Sequence, residues 1–197
     1  MPAATKKIYQ LKINLKGAKP PIWRRFLVNS TVKLDQFHRT LQVVMGWYGG
    51  HLHQFNVNGC SYGAPNPDWG FDDVIDEGST TLGQVLKYEK SKMIYEYDFG
   101  DGWEHIITLE KILPFSTTTP LPICIKAKGA CPPEDIGGLW AYYDFLEIMK
   151  DKNHPEYEDY ADWIGGDFDP DHCDLNLINE LLLAGHDQKG YRQDFLL

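Results

Sequence analysis

The chain has 197 residues, 28 of them acidic and 19 basic, with a formal net charge of −9; this length builds one core without staples, and the charge disfavours nucleic acid as a partner. Apolar residues at 43% and charged residues at 24% are the proportions of a soluble globule. The four cysteines form no C-x-x-C pair, which argues against a zinc ribbon or a redox dithiol, and "MPAATKKIYQ" holds no apolar run fit for a leader or a membrane span, so a cytoplasmic location with reduced thiols is expected.

From Tyr9 to Lys16 apolar and polar residues alternate, the period of a half-buried strand. "GAKPP" breaks the run, and "IWRRFLV" (Ile22–Val28) reads as a second strand, with Arg24 and Arg25 on opposite faces. From Leu34 the period becomes helical, through Phe37, Leu41, Val44 and Met45. Ser30 or Thr31 is placed to cap this helix and Gly46 to stop it. "HLHQFNVN" returns to period two, with His51, His53, Phe55 and Val57 sharing a face. Gly59–Gly78 is a long, turn-rich loop, a class often functional. "TTLGQVLKYE" is a short helix with Thr80 or Thr81 as cap.

"YDFGDGWEH" (Tyr97–His105) reads as the tip of a β-hairpin. A two-residue Asp101-Gly102 loop sets Asp98 opposite His105. A three-residue Gly-Asp-Gly loop sets Tyr97 opposite His105 and puts the rings on one face, which favours it despite opposing Asp98 to Glu104. One short strand is expected near Ile123. Three helices follow: Leu139–Lys150 with Trp140, Tyr143, Leu146 and Met149 at helical spacing, Tyr157–Ile164, and Leu175–Leu183 capped by Asp174 with Leu175, Ile178 and Leu182 inward. Strands early and helices late make an α+β fold, a mostly antiparallel sheet packed with helices. One domain is expected over 1–197, with its core at about 8–183 and a tail at 184–197.

Taken in order, "PPIWRRF", "HRTLQVVMGW" with "HLHQF", "YDFGDGWEH", "GACPPEDIGG" and "FDPDHCDLNLIN" resemble the plasmid ORF-three-like family, some of whose members occur as resolvase-like passengers of mobile insertion elements. The resemblance spans about Ile8 to Leu182 and implies a single α+β domain. It does not carry a recombinase mechanism, because the chain lacks an arginine-rich active region and a basic tail; "GYRQDF" alone offers only a tyrosine beside an arginine.

The candidate ligand-binding residues are Trp23, Arg24, His51, His53, Tyr97, Asp98, Asp101, Trp103, His105, Glu134 and Asp135. Rings beside polar groups suit a binding or adaptor module for a peptide, protein or small molecule. The alternative is a metal-dependent hydrolase or nuclease, with His51, His53 and His105 as ligands of a divalent transition metal and carboxylates in support. Packed structural imidazoles are the third reading of the same residues. Accessory contact with DNA follows only from the family's company. An ion pair from Arg24 or Arg25 to Glu134 or Asp135 is expected to fasten the "PPED" loop to the sheet.

Overall fold

The structure, a computed structural model, describes residues 6–65 and 73–184. Its strands are β1 (Lys7–Leu15), β2 (Trp23–Asn29), β3 (His53–Val57), β4 (Cys60–Gly63), β5 (Ile75–Asp76), β6 (Lys92–Tyr97), β7 (Trp103–Pro114) and β8 (Ile123–Lys128). Its helices are α1 (Leu34–Met45), α2 (Leu82–Val85), α3 (Gly138–Ile148), α4 (Tyr157–Ile164) and α5 (Leu175–Leu183). The strands form one sheet in the order β5-β4-β3-β6-β7-β1-β2-β8, antiparallel except where β4 meets β5. The α+β expectation holds.

The sheet is one-sided. Leu11, Ile13 and Leu15 of β1, Phe26 and Val28 of β2, Phe55 of β3, Tyr95 and Tyr97 of β6, and Trp103, Ile107 and Leu109 of β7 are buried on one face, where α1 inserts Phe37 between Phe26 and Phe55. The other face carries polar residues, the usual pattern of an antiparallel sheet wet on one side. A bulge between Gln10 and Leu11 leaves Glu110 as the extra residue of β7. Glu110 accepts from Arg25 Nε and Nη2, at 2.6 and 2.8 Å, and from Gln10 Nε2 at 2.8 Å. Bulges re-aim side chains in this way, and here the result corrects the expected pairing. Arg25 binds Glu110 rather than the "PPED" loop, and Arg24 runs inward to main-chain carbonyls.

Several local readings also change. The long loop Gly59–Gly78 contains β4 and β5; its residues 66–72 lie outside the described residues, as does the tail from 185 onward with "GYRQDF". The N-cap of α1 is Lys33, not Ser30 or Thr31, and makes no side-chain cap bond; the Leu34 N–H donates instead to Thr80 O at 2.9 Å. Gly46 ends the helix at φ 103° as expected. Thr81 is the N-cap of α2. The inward stripe of α3 is Tyr142, Phe145 and Ile148, and Trp140 is 84% exposed. This helix is apolar around much of its circumference, so periodicity alone does not choose the stripe. Asp174 caps α5 as expected, accepting from the N–H groups of Asn176 and Leu177.

The edge strand β8 packs against α5 and is hydrogen-bonded to it by one side chain. Asn179 Oδ1 accepts from Cys124 N at 2.7 Å, and Asn179 Nδ2 donates to Cys124 O at 2.9 Å. At the opposite edge, β5 is two residues long. Among the described residues no helix is long and apolar enough to cross a membrane.

Candidate functional site

Three chain segments converge beside the hairpin tip: the turn after α1, the β6–β7 connection and the loop before α3. Neither expected register is observed. Tyr97 faces Trp103, Glu96 faces Glu104 and Tyr95 faces His105, so five residues, 98–102, join the strands. The connection widens because Asp98 turns left-handed at φ 54°. Its Oδ1 accepts from Gly100 N at 3.0 Å, its N–H reaches Leu52 O at 2.9 Å, and Gly102 N returns to its carbonyl at 2.6 Å. Aspartate tolerates this backbone because its side chain bonds the turn itself. The register moves by two residues from the favoured reading, which keeps Tyr97, Trp103 and His105 on one face.

Those rings are core. Tyr97, Trp103 and His105 are at most 1% exposed and pack around Trp47, with ring centroids at 5.1, 5.6 and 5.3 Å. Trp47 Nε1 donates to Pro132 O at 3.0 Å, tying the turn to the "CPPED" loop. The expected aromatic pocket is therefore filled by its own rings. Burial lowers the His105 pKa to about 4, and its Nε2 has no hydrogen-bond partner among the described residues. Trp23 belongs to the other face, with Lys12 Nζ 4.7 Å from its ring centroid.

The polar groups around His51 do converge. His51 Nε2 is 3.0 Å from Asp135 Oδ1 and 3.9 Å from Glu134 Oε1, and Nδ1 is 3.8 Å from Asp98 Oδ2. Asp135, like Asp98, is left-handed, with φ 64°. Two non-glycine residues thus adopt a rarely used conformation and send carboxylates to one imidazole; such outliers gather at functional sites. One donor atom each from His51, Asp98 and Asp135 lies within 4.8 Å of the others. Asp101 stands behind, its Oδ2 accepting from Gly137 N at 3.0 Å, which clamps the hairpin tip to the loop.

Glu134 is the buried anchor of the cluster. Tyr48 N donates to its Oε2 at 2.8 Å, and Tyr97 OH donates to its Oε1. Burial raises its pKa, against the lowering effect of those donors and of His51. A carboxyl raised in the folded state stabilises fully below its unfolded pKa, and that contribution is lost as pH rises through the folded value. Glu134→Gln cannot titrate. Its stability relative to wild type should therefore climb from about pH 4.5 upward, read as urea midpoints between pH 4 and 8. A difference that stays flat with pH would remove burial as the dominant influence on this carboxyl.

The three histidines expected to share a metal go to different places. His51 joins the carboxylates and His105 is enclosed in the core. His53 Nε2 is 2.8 Å from Glu77 Oε2, and its ring lies flat on His38, with centroids at 3.5 Å and planes 5° apart. His38 Nδ1 is 2.8 Å from Tyr95 OH, which also accepts from Gln42 Nε2 at 2.8 Å. Burial, then His53 and Arg39, push the His38 pKa down to about 2. His38, His51 and His53 all line one cleft of about 250 Å³. Sequence reading missed His38 and Glu77. His38 sits on the buried stripe of α1 with Leu34, Phe37 and Leu41, where a histidine between apolar neighbours was the available signal. Glu77 had none.

The family model described as "Plasmid pRiA4b ORF-3-like protein" matches residues 7–177, in keeping with the motif resemblance. "Uncharacterized protein y4hQ" of Sinorhizobium fredii is 35% identical over 175 residues, covering 88% of this chain and 89% of its own length. The crystal structure of "Protein of Unknown Function MM3350" from Methanosarcina mazei Go1 is similar with a TM-score of 0.78 at 38% identity, over 88% of this chain and 98% of that one.

Proposed function

The chain belongs to the plasmid pRiA4b ORF-3-like family, and we propose that it is a binding module whose site is the carboxylate–imidazole cluster of His51, Asp98 and Asp135, holding a divalent transition cation. The observation that carries this reading is the convergence of those three donor atoms within 4.8 Å, from three separate segments. Imidazole with carboxylates is a ligand set for zinc, manganese or iron. Tetrahedral donors at ~2.1 Å from an ion lie about 3.4 Å apart, so closure on the ion takes a movement of about an ångström. Charge supports the same reading. Asp98, Glu134 and Asp135 surround a single imidazole, and a divalent cation balances what one imidazolium cannot. Glu134, already bonded to Tyr48 and Tyr97, holds the loop rather than the ion.

The test uses untagged protein with Zn²⁺ or Mn²⁺ as the probe, read by calorimetry and by elemental analysis after dialysis. One equivalent is expected to bind, and His51→Ala or Asp135→Ala to weaken it at least about ten-fold, the scale of a lost ligand or of its support. Asp135→Gly is the safer way to remove this carboxylate, since the side chain is 67% exposed and glycine accepts the φ of 64° that strains alanine. A protein that takes up neither ion, or whose binding survives both substitutions, would sink the reading.

A further inference from the structure

The cleft holds a second device that uses none of the proposed cation's donor atoms. Its parts are Glu77, His53 and His38, from the segment after β5, from β3 and from α1. Glu77 is 6% exposed and His38 8%, so their polar atoms sit where burial is costly unless paired. The pairing is specific. At 2.8 Å a proton lies between His53 Nε2 and Glu77 Oε2. In the tautomer that places this proton on Nε2, the lone pair is on Nδ1. No described residue bonds Nδ1, and the ring lines the cleft. A carboxylate behind one nitrogen fixes the tautomer and makes the other a better acceptor.

The stack below decides what the acceptor is for. Rings parallel within 5° and 3.5 Å apart direct their lone pairs in separate planes, so one metal ion cannot lie in both. His38 is kept uncharged by its burial and gives His53 an apolar face rather than a second cation. Leu52, Ala64, Pro65 and Val74 supply the apolar part of the cleft wall, and among the described residues its lining holds no lysine or arginine. Apolar walls with a few oriented polar groups are the usual form of a small-molecule site.

We propose that Glu77 and His53 form an oriented acceptor at the base of this cleft, built to receive the O–H or N–H of a small uncharged ligand on His53 Nδ1. The described lining offers no lysine or arginine to an anion, and a wholly apolar ligand leaves the imidazole unpaired.

The experiment labels the full chain with diethyl pyrocarbonate, which consumes unprotonated imidazoles, and maps the modified histidines by mass spectrometry. His53, whose side chain is 12% exposed, is expected to react more slowly than exposed His172 but measurably, while buried His105 stays unmodified. Glu77→Gln should slow His53 about ten-fold, with His172 unchanged as the internal control. Phenol, a neutral O–H donor of suitable size, should protect His53, whereas anisole, which lacks the donor, should not. Protection of His53 in the unliganded wild type, an unchanged rate in Glu77→Gln, or equal protection by phenol and anisole would each overturn the proposal. None of these outcomes depends on whether a metal binds at His51.

Discussion

Replacing Arg24 with methionine is expected to lower the unfolding free energy by about 3 kcal/mol, one of the two largest effects among single substitutions considered for this chain. Arg24 is 2% exposed in the core, where a cation is costly unless satisfied. Its Nε donates to Val44 O at 2.8 Å, and Nη1 donates to Trp23 O and Lys128 O, both at 3.1 Å. Val44 lies in the last turn of α1, where the carbonyls lack helical partners and the helix dipole is negative. One guanidinium therefore closes α1, joins it to β2 and reaches β8. Methionine fills similar space but leaves three acceptors without their donor, each costing about 1–3 kcal/mol, partly offset because a charge no longer needs burying. Lysine should recover less than half, since an ammonium cannot reproduce the planar fork. Urea unfolding with an unchanged m-value would measure the loss. A loss under about 1 kcal/mol would show that the carbonyls are content without the arginine.

Gly138→Ala is the second. The glycine has φ +83°, and a Cβ there would sit 2.6 Å from Asp101 O, a backbone atom of the hairpin tip. A left-handed alanine costs about 1–2 kcal/mol, and the clash cannot be relieved by turning a side chain. The expected total is about 3 kcal/mol, because either the loop before α3 or the hairpin tip must retreat. Retreat would also part Asp101 from Gly137 N and carry Asp135 away from His51. The variant should therefore lose cation binding beyond its loss of stability, measured at a temperature where it remains folded. Gly59→Ala is the comparison. That glycine has φ +81° but nothing within 4 Å of the added Cβ, so only the conformational part of the cost should appear. Equal losses in the two variants would show that close approach to Asp101 does not matter.

What the sequence makes legible follows from how local each cause is. The strands around Leu11 and Phe26, the α1 stripe with its Gly46 stop, and the Asp174 cap are written in periods and in residues a few positions apart, and the structure has them. The hairpin's face is legible for the same reason. Its register is not, because it depends on Asp98 taking a left-handed turn that Gly100, Asp101 and Leu52 together support. The partner of Arg25 is hidden because the bulge that presents Glu110 exists only once β1 and β7 pair. The site is half legible. His51, Asp98, Glu134 and Asp135 attract notice through their motifs, and the structure brings them together. His53 and His105 share strand periodicity with neighbours on the same face, but alternation cannot say which imidazole meets a carboxylate and which meets Trp47.

The bond pair between Asn179 and Cys124 bears on how these molecules behave in a crowd. The terminal strand β8 would otherwise present a main-chain donor and acceptor at Cys124, the docking points that a strand from another copy would use. A side-chain amide offers the same two groups in the same spacing as a neighbouring peptide unit, so at that position the ladder is already complete. A β-branched residue in place of Asn179 would leave Cys124 N and O without partners beneath α5 and loosen the helix from the edge it covers. The harm would then show itself in the melting curve and, at high protein concentration, in light scattering and sedimentation as growth from edge to edge.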